Sequence, residues 1–205
     1  IQFGSVERPT HKNTSWDAAR FEVCAHKYCD LSEYGYGVSL MNDCKYGHAI
    51  HDGVMSLTML KCGTFPDPDA DKCEHKFTYS LYPHTGDYRK AGTIQKSYDL
   101  NIPMICIKAG GNKGNLSNEY SFFAVDCENV IFETAKKAET EDSIILRGCE
   151  YYNKRTTAEL SFGFDVKKAY LCDMLENNIR ELDVNGNSVK IDFRPFEINT
   201  IKIIK

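Results

Sequence analysis

The sequence predicts an all-β fold, and three observations carry that reading. Apolar residues recur at every second position in short runs rich in Val, Ile, Thr, Tyr and Phe, the period of half-buried strands. Gly, Asn, Asp and Pro punctuate these runs, as tight turns require. Only one stretch reads as a helix. With 205 residues the chain suffices for one large β domain or two smaller units. Its 42% hydrophobic and 26% charged residues describe a globular chain, away from the disordered range.

In the first half, strands are expected at 20–28 (RFEVCAHKY), 36–42 (YGVSLMN), 46–50, 54–61 (VMSLTMLK), 75–82 (HKFTYSLY) and 103–108 (PMICIK). Gly35, Gly47, the pair Asp52-Gly53 and the loop TFPDPDADKC separate them. The helix is expected over 87–99, with Asp87 placed to cap it and Pro103 preventing a long continuation. Residues 109–119, AGGNKGNLSNE, are too rich in Gly and Asn for a strand interior and read as a linker or long surface loop. Alternation resumes at 120–126, 129–138, 143–150, 155–164, 167–175, 188–193 and 196–204. Asn185-Gly186 is the signal of a type I′ hairpin. The second half is therefore expected to form a compact antiparallel sandwich of about seven strands. No fixed repeat period and no low-complexity tract is visible.

The charge balance, 29 acidic against 25 basic residues, argues against a nucleic-acid partner or a basic membrane patch. No run approaches the roughly 18 apolar residues of a membrane span, so no membrane partner is expected. Nine cysteines without a C-x-x-C are read as reduced thiols, several in the core (Cys24, Cys106 and Cys172 lie in apolar runs). That reading fits a cytoplasmic protein. A start on Ile1 reads as a fragment or a processed chain, so missing targeting signals carry no weight.

Hydrolytic triads, P-loops, dinucleotide fingerprints and H-E-x-x-H helices are absent as sequence signatures. His48-x-x-His51 is the tightest histidine pair, but a Gly-rich turn does not hold two imidazoles on one face, and no metal site or other cofactor is expected in the chain. The acidic run 66–71 lacks the Gly and terminal Glu of a calcium loop and reads as solvated. The segment Asn42-Asp43-Cys44-Lys45-Tyr46-Gly47 differs. It follows directly on an apolar strand and gathers an amide, a carboxylate, an ammonium and a phenol, groups suited to sugar hydroxyls. The alternative is a hairpin in which Asp43 and Lys45 pair with each other. Trp16, Tyr28, Tyr34 and Tyr36 would suit stacking on a pyranose ring, or a core.

The segment RPTHKNTSWDAARFEVCAHKYCDLSEYGYGVSLMNDCKYGHAIHDGVMSLTMLKC, with FTYSLYPHTGDYRKAG and the closing FRPFEINTIKI, resembles the C-terminal region of glycoside hydrolase family 38 α-mannosidases, particularly the cytosolic and bacterial branch. The likeness spans nearly the whole chain and is densest over 7–100. It implies the last part of a galactose-mutarotase-like supersandwich over 1–115, then a small terminal antiparallel β-sandwich over 116–205. It also implies retaining hydrolysis of terminal α-linked mannose from oligosaccharides by an Asp nucleophile, a carboxylic acid/base and a divalent metal, usually zinc. All of these sit in an N-terminal catalytic domain beyond this chain, so no catalytic residue and no metal ligand is assigned here and the chain alone is expected to be inactive. Asn42, Asp43, Lys45 and Tyr46 are the residues expected to bind substrate, orienting a mannoside hydroxyl or bracing the catalytic loops. Cys44 and His48 receive no role. The expected partners are the α-mannoside, the chain's own catalytic domain and further copies in a homo-oligomer. A non-catalytic carbohydrate-binding or purely structural module is the rival reading.

Overall fold

The computed structural model describes residues 1–111, 113–115 and 117–205. Asn112 and Leu116, both within the expected linker, lie outside the described residues. The chain divides into two compact units, one of residues 1–2 and 6–107, the other of residues 3–5 and 108–205.

The first unit contains α1 (Ser15–Ala19), β1 (Val23–Cys24), β2 (Tyr28–Glu33), β3 (Tyr36–Asn42), β4 (Gly47–His51), β5 (Val54–Thr58), β6 (Tyr79–His84) and α2 (Thr93–Asn101). Two antiparallel three-stranded sheets result, ordered β1-β4-β5 and β2-β3-β6. β4 and β5 meet at His51↔Val54 across Asp52-Gly53, both at positive φ, the type I′ geometry that an Asp-Gly pair favours. Pro83 sits in β6, an edge strand, where its missing N–H costs no ladder bond. The helix α1 was not legible as an element. Thr14 and Asp17 form a reciprocal capping box there, Asp17 N donating to Thr14 Oγ1 and Thr14 N to the Asp17 carboxylate, each at 3.1 Å.

Three expected elements differ. The run 20–28 is split between two sheets: Val23–Cys24 form β1, Lys27 adopts φ 56°, and Tyr28 opens β2 in the other sheet. The helix begins at Thr93. Asp87 caps the preceding turn instead, accepting from Arg89 N at 2.9 Å and Lys90 N at 3.0 Å. The run 103–108 joins no strand among the described residues. It follows α2 outside any regular element, its large apolar side chains exposed.

The second unit contains β7 (Phe123–Val125), β8 (Val130–Lys137), β9 (Ile144–Glu150), β10 (Thr156–Phe162), β11 (Lys168–Cys172), β12 (Asn178–Leu182), β13 (Val184–Asn185), β14 (Ser188–Phe193) and β15 (Ile198–Ile204). A four-stranded sheet, β13-β14-β10-β7, faces a five-stranded sheet, β12-β11-β15-β9-β8. All pairings are antiparallel. Alternate residues supply the core: Ala158, Leu160 and Phe162 from β10, Val189, Ile191 and Phe193 from β14, Ile201 and Ile203 from β15. Burying each larger side chain stabilises by about 1.5–3 kcal/mol. The all-β class is thus observed, with a β-sandwich over the C-terminal half. The hairpin lies one residue later than expected. Asn185 pairs with Ser188, leaving Gly186-Asn187 as the loop, and only Gly186 has positive φ, the type II′ pattern.

The two interiors differ in chemistry. Among the described residues of the first unit, the buried hydrophobic residues are Cys29, Leu40, Met41 and Ile94, beside the polar Ser39, Asn42, His48, His84, Thr93 and Ser97. All nine cysteines are free, and Cys29, Cys149 and Cys172 are buried; Cys24 and Cys106 depart from expectation in being exposed. Burial pushes the Cys29 and Cys149 thiols up to about 12, which keeps them protonated and unreactive.

Candidate functional site

The turn between β3 and β4 is built from the end of a central strand. Asn42 is fully buried and acts as its anchor. Its backbone N–H donates to Lys27 O at 2.9 Å, its Oδ1 accepts from Lys45 N at 2.9 Å, and its carbonyl accepts from Asn101 Nδ2, at the end of α2, at 2.9 Å. Asp43 ties the turn to the strand that leads into β6. Its Oδ2 accepts from Thr78 N at 2.9 Å, while its own N–H donates to Thr78 O at 3.2 Å. The Thr78 N–H bond holds the Asp43 carboxyl below its usual range.

Lys45 and Tyr46 point elsewhere. The Lys45 ammonium lies 5.1 Å from the centre of the Phe77 ring, a cation–π contact. Tyr46 is exposed and packs edge-on against His26 at 4.7 Å between ring centroids. The four residues singled out from sequence therefore share one turn but divide by role: the Asn42 and Asp43 side chains hold the backbone, whereas Lys45 and Tyr46 present a cation and a phenol. The hairpin pair Asp43–Lys45 does not form, since each group has a different partner. Of the aromatics nearby, Trp16, Tyr34 and Tyr36 are exposed and outside the core.

Other polar groups of the unit carried no local signal. His48 is buried in β4, its Nδ1 3.2 Å from Tyr46 O, and its Nε2 has no partner among the described atoms. Burial lowers its pKa below the ordinary 6.5. Across β2, β3 and β6, Asp30 Oδ2 accepts from Ser39 Oγ at 2.6 Å and lies 2.7 Å from His84 Nε2, Ser32 donates to Oδ1, and Ser39 Oγ lies 2.8 Å from Thr93 Oγ1 at the start of α2. This network is inward-facing and braces the sheet against the helix.

Among the described residues, no three His, Cys, Asp or Glu side chains gather as a ligand set. His48 and His51 turn to different backbone carbonyls, Tyr46 O and Phe21 O. Nor does any helix have the length and apolar character to cross a membrane, among the residues described.

Residues 1–69 match the Glycosyl hydrolases family 38 C-terminal domain, and residues 129–201 match the family's C-terminal beta sandwich domain. Alpha-mannosidase 2C1 of Homo sapiens is 41% identical over 209 residues, covering all of this chain and 20% of that protein. Alpha-mannosidase G of Dictyostelium discoideum is 39% identical over 210 residues, again covering all of this chain and 19% of the relative. This chain thus spans about one fifth of the length of these curated relatives. The crystal structure of an alpha-mannosidase from Enterococcus faecalis V583 superposes with a TM-score of 0.80 over 98% of this chain and 23% of that one, at 19% identity, a likeness of fold. Two models of one family at opposite ends of the chain, identity running from end to end and a shared β architecture agree: the chain belongs to glycoside hydrolase family 38, as a C-terminal region of that family.

Proposed function

We propose that the chain is the C-terminal β region of an α-mannosidase, a retaining glycoside hydrolase that releases terminal α-linked mannose from oligosaccharides in the cytoplasm. The observation that carries this is the 41% identity to a curated alpha-mannosidase along the entire chain. The nucleophile, the acid/base and the divalent metal, zinc by the resemblance, belong to the part of the enzyme beyond these residues. The first unit represents the end of the supersandwich and the second the terminal sandwich. The region packs on the catalytic domain and, in an assembly of several copies, shapes the substrate cleft.

Within that reading Lys45 and Tyr46 are the side chains that reach a mannoside hydroxyl, and Asn42 and Asp43 are positioning residues that fix the turn. A hydrogen bond to a charged group is worth about 1.5–3 kcal/mol. Lys45→Ala in the full-length enzyme is therefore expected to lower kcat/KM for a chromogenic α-mannoside by about 10- to 100-fold, with the thermal midpoint unchanged. The rival, a purely structural region, draws support from the use of the Asn42 and Asp43 side chains to hold backbone N–H groups, those of Lys45 and Thr78. Unchanged kinetics in Lys45→Ala and Tyr46→Ala, together with lost stability in Asn42→Ala, would establish that rival.

A further inference from the structure

The run Pro103-Met104-Ile105-Cys106-Ile107 has the composition of a strand and the environment of a loop. β-Branched and sulfur-containing apolar residues succeed one another without a polar break, unlike the alternating runs elsewhere in the chain. In an extended chain, Ile102, Met104 and Cys106 face one side, and Pro103, Ile105 and Ile107 the other. Both faces are apolar, the pattern of a strand covered on both sides. Yet among the described residues the run pairs with nothing, and Met104, Ile105 and Ile107 are 93%, 89% and 84% exposed. Natural proteins blunt free edges with charge or proline, and here only Pro103 and Lys108 flank the run.

The curated relatives carry about four fifths of their length outside the matched region. We infer that residues 104–107 form an interior strand of a sheet in that remaining polypeptide, paired along both backbone edges and lying between two apolar layers. This rests on the proposed identity of the chain as one region of a longer mannosidase. A second copy is the less favoured host. Two antiparallel copies of the run would cover one backbone edge of each strand and leave the other edge, with much of both apolar faces, in water.

The test is hydrogen exchange on the native full-length enzyme, read at the amides of Met104, Ile105, Cys106 and Ile107, with alkylation of Cys106 followed by peptide mass mapping. The same enzyme unfolded in guanidinium serves as reference. Exchange at all four amides is expected to be slowed by about 100-fold or more, independently of protein concentration, and Cys106 to resist alkylation until unfolding. Less slowing, or free alkylation of native Cys106, overturns the inference. Protection lost on dilution as the enzyme dissociates overturns it in favour of a second copy. α-Mannoside hydrolysis measured on the same sample separates the two readings: activity without protection refutes the interior strand alone, and protection without activity refutes only the mannosidase assignment.

Discussion

Glu150 shows how much structure one buried carboxylate can organise. It is fully buried at the end of β9, and its Oε1 accepts from Asn129 Nδ2 at 2.8 Å and Tyr152 N at 2.7 Å. Its Oε2 accepts from Phe196 N at 3.1 Å and Lys154 N at 3.3 Å. Three loops thus converge on one side chain, two through backbone N–H groups and one through the Asn129 side chain. Glu150→Ala leaves these donors unsatisfied in the interior and is expected to cost about 3 kcal/mol or more, read as a lowered urea midpoint. Glu150→Gln keeps one accepting oxygen and should lose less. His48 makes a different kind of contribution. Because burial lowers its folded pKa below 6.5, the unfolded chain binds a proton between that lowered value and about 6.5 that the folded chain does not. Stability is therefore expected to fall as pH drops through this window. In His48→Gln the denaturant midpoint should lose that part of its pH dependence.

At the scale of elements, the sheet β2-β3-β6 depends on one close approach. A Cβ on Gly37 would lie 2.4 Å from His84 Cε1 and 2.5 Å from Ser32 Oγ. Neither neighbour can swing away freely, since both are held by Asp30. Gly37→Ala is expected to displace His84 and destabilise the unit by about 1–3 kcal/mol, measurable as a lower melting temperature. In the five-stranded sheet the corresponding device is the pair Phe132↔Gly148, where the Phe132 ring covers the glycine. Where the partner of an element is local, the sequence was readable: Asp52-Gly53 closes β4–β5, and Phe162, Val189 and Ile203 sit where period two places them. Residues 103–108 were read as a strand because propensity and alternation report the strand's own side; the missing pairing depends on what lies beside it. The turn at 42–46 was recognisable as polar. Which of its side chains face inward was not, because Asn42 takes its contacts from Lys27 and Asn101, and Asp43 from Thr78.

For the molecule as a whole, the contrast between units governs stability. The second unit buries a continuous apolar cluster between two sheets, whereas the first relies on a few apolar residues and a polar interior. Hydrogen exchange of the 205-residue chain is expected to find the amides of β9, β10 and β15 slowest, and those of β4 and β5 faster by about 100-fold or more. Equal protection in both units would contradict this account. The amino-acid sequence by itself determined the all-β class, most strand positions, the sandwich of the second half and the family resemblance, because alternation, turn chemistry and words such as SEYGYG and NDCKYG are local properties. Only the tertiary structure decided that Asn42 and Asp43 anchor while Lys45 and Tyr46 turn to Phe77 and His26, that Asp30, Ser39, His84 and Thr93 meet, and that 103–108 stands unpaired among the described residues. Each of those facts turns on groups tens of residues apart, or on a neighbour that is missing, and hydrogen bonds and burial between distant segments leave no periodic trace in the chain.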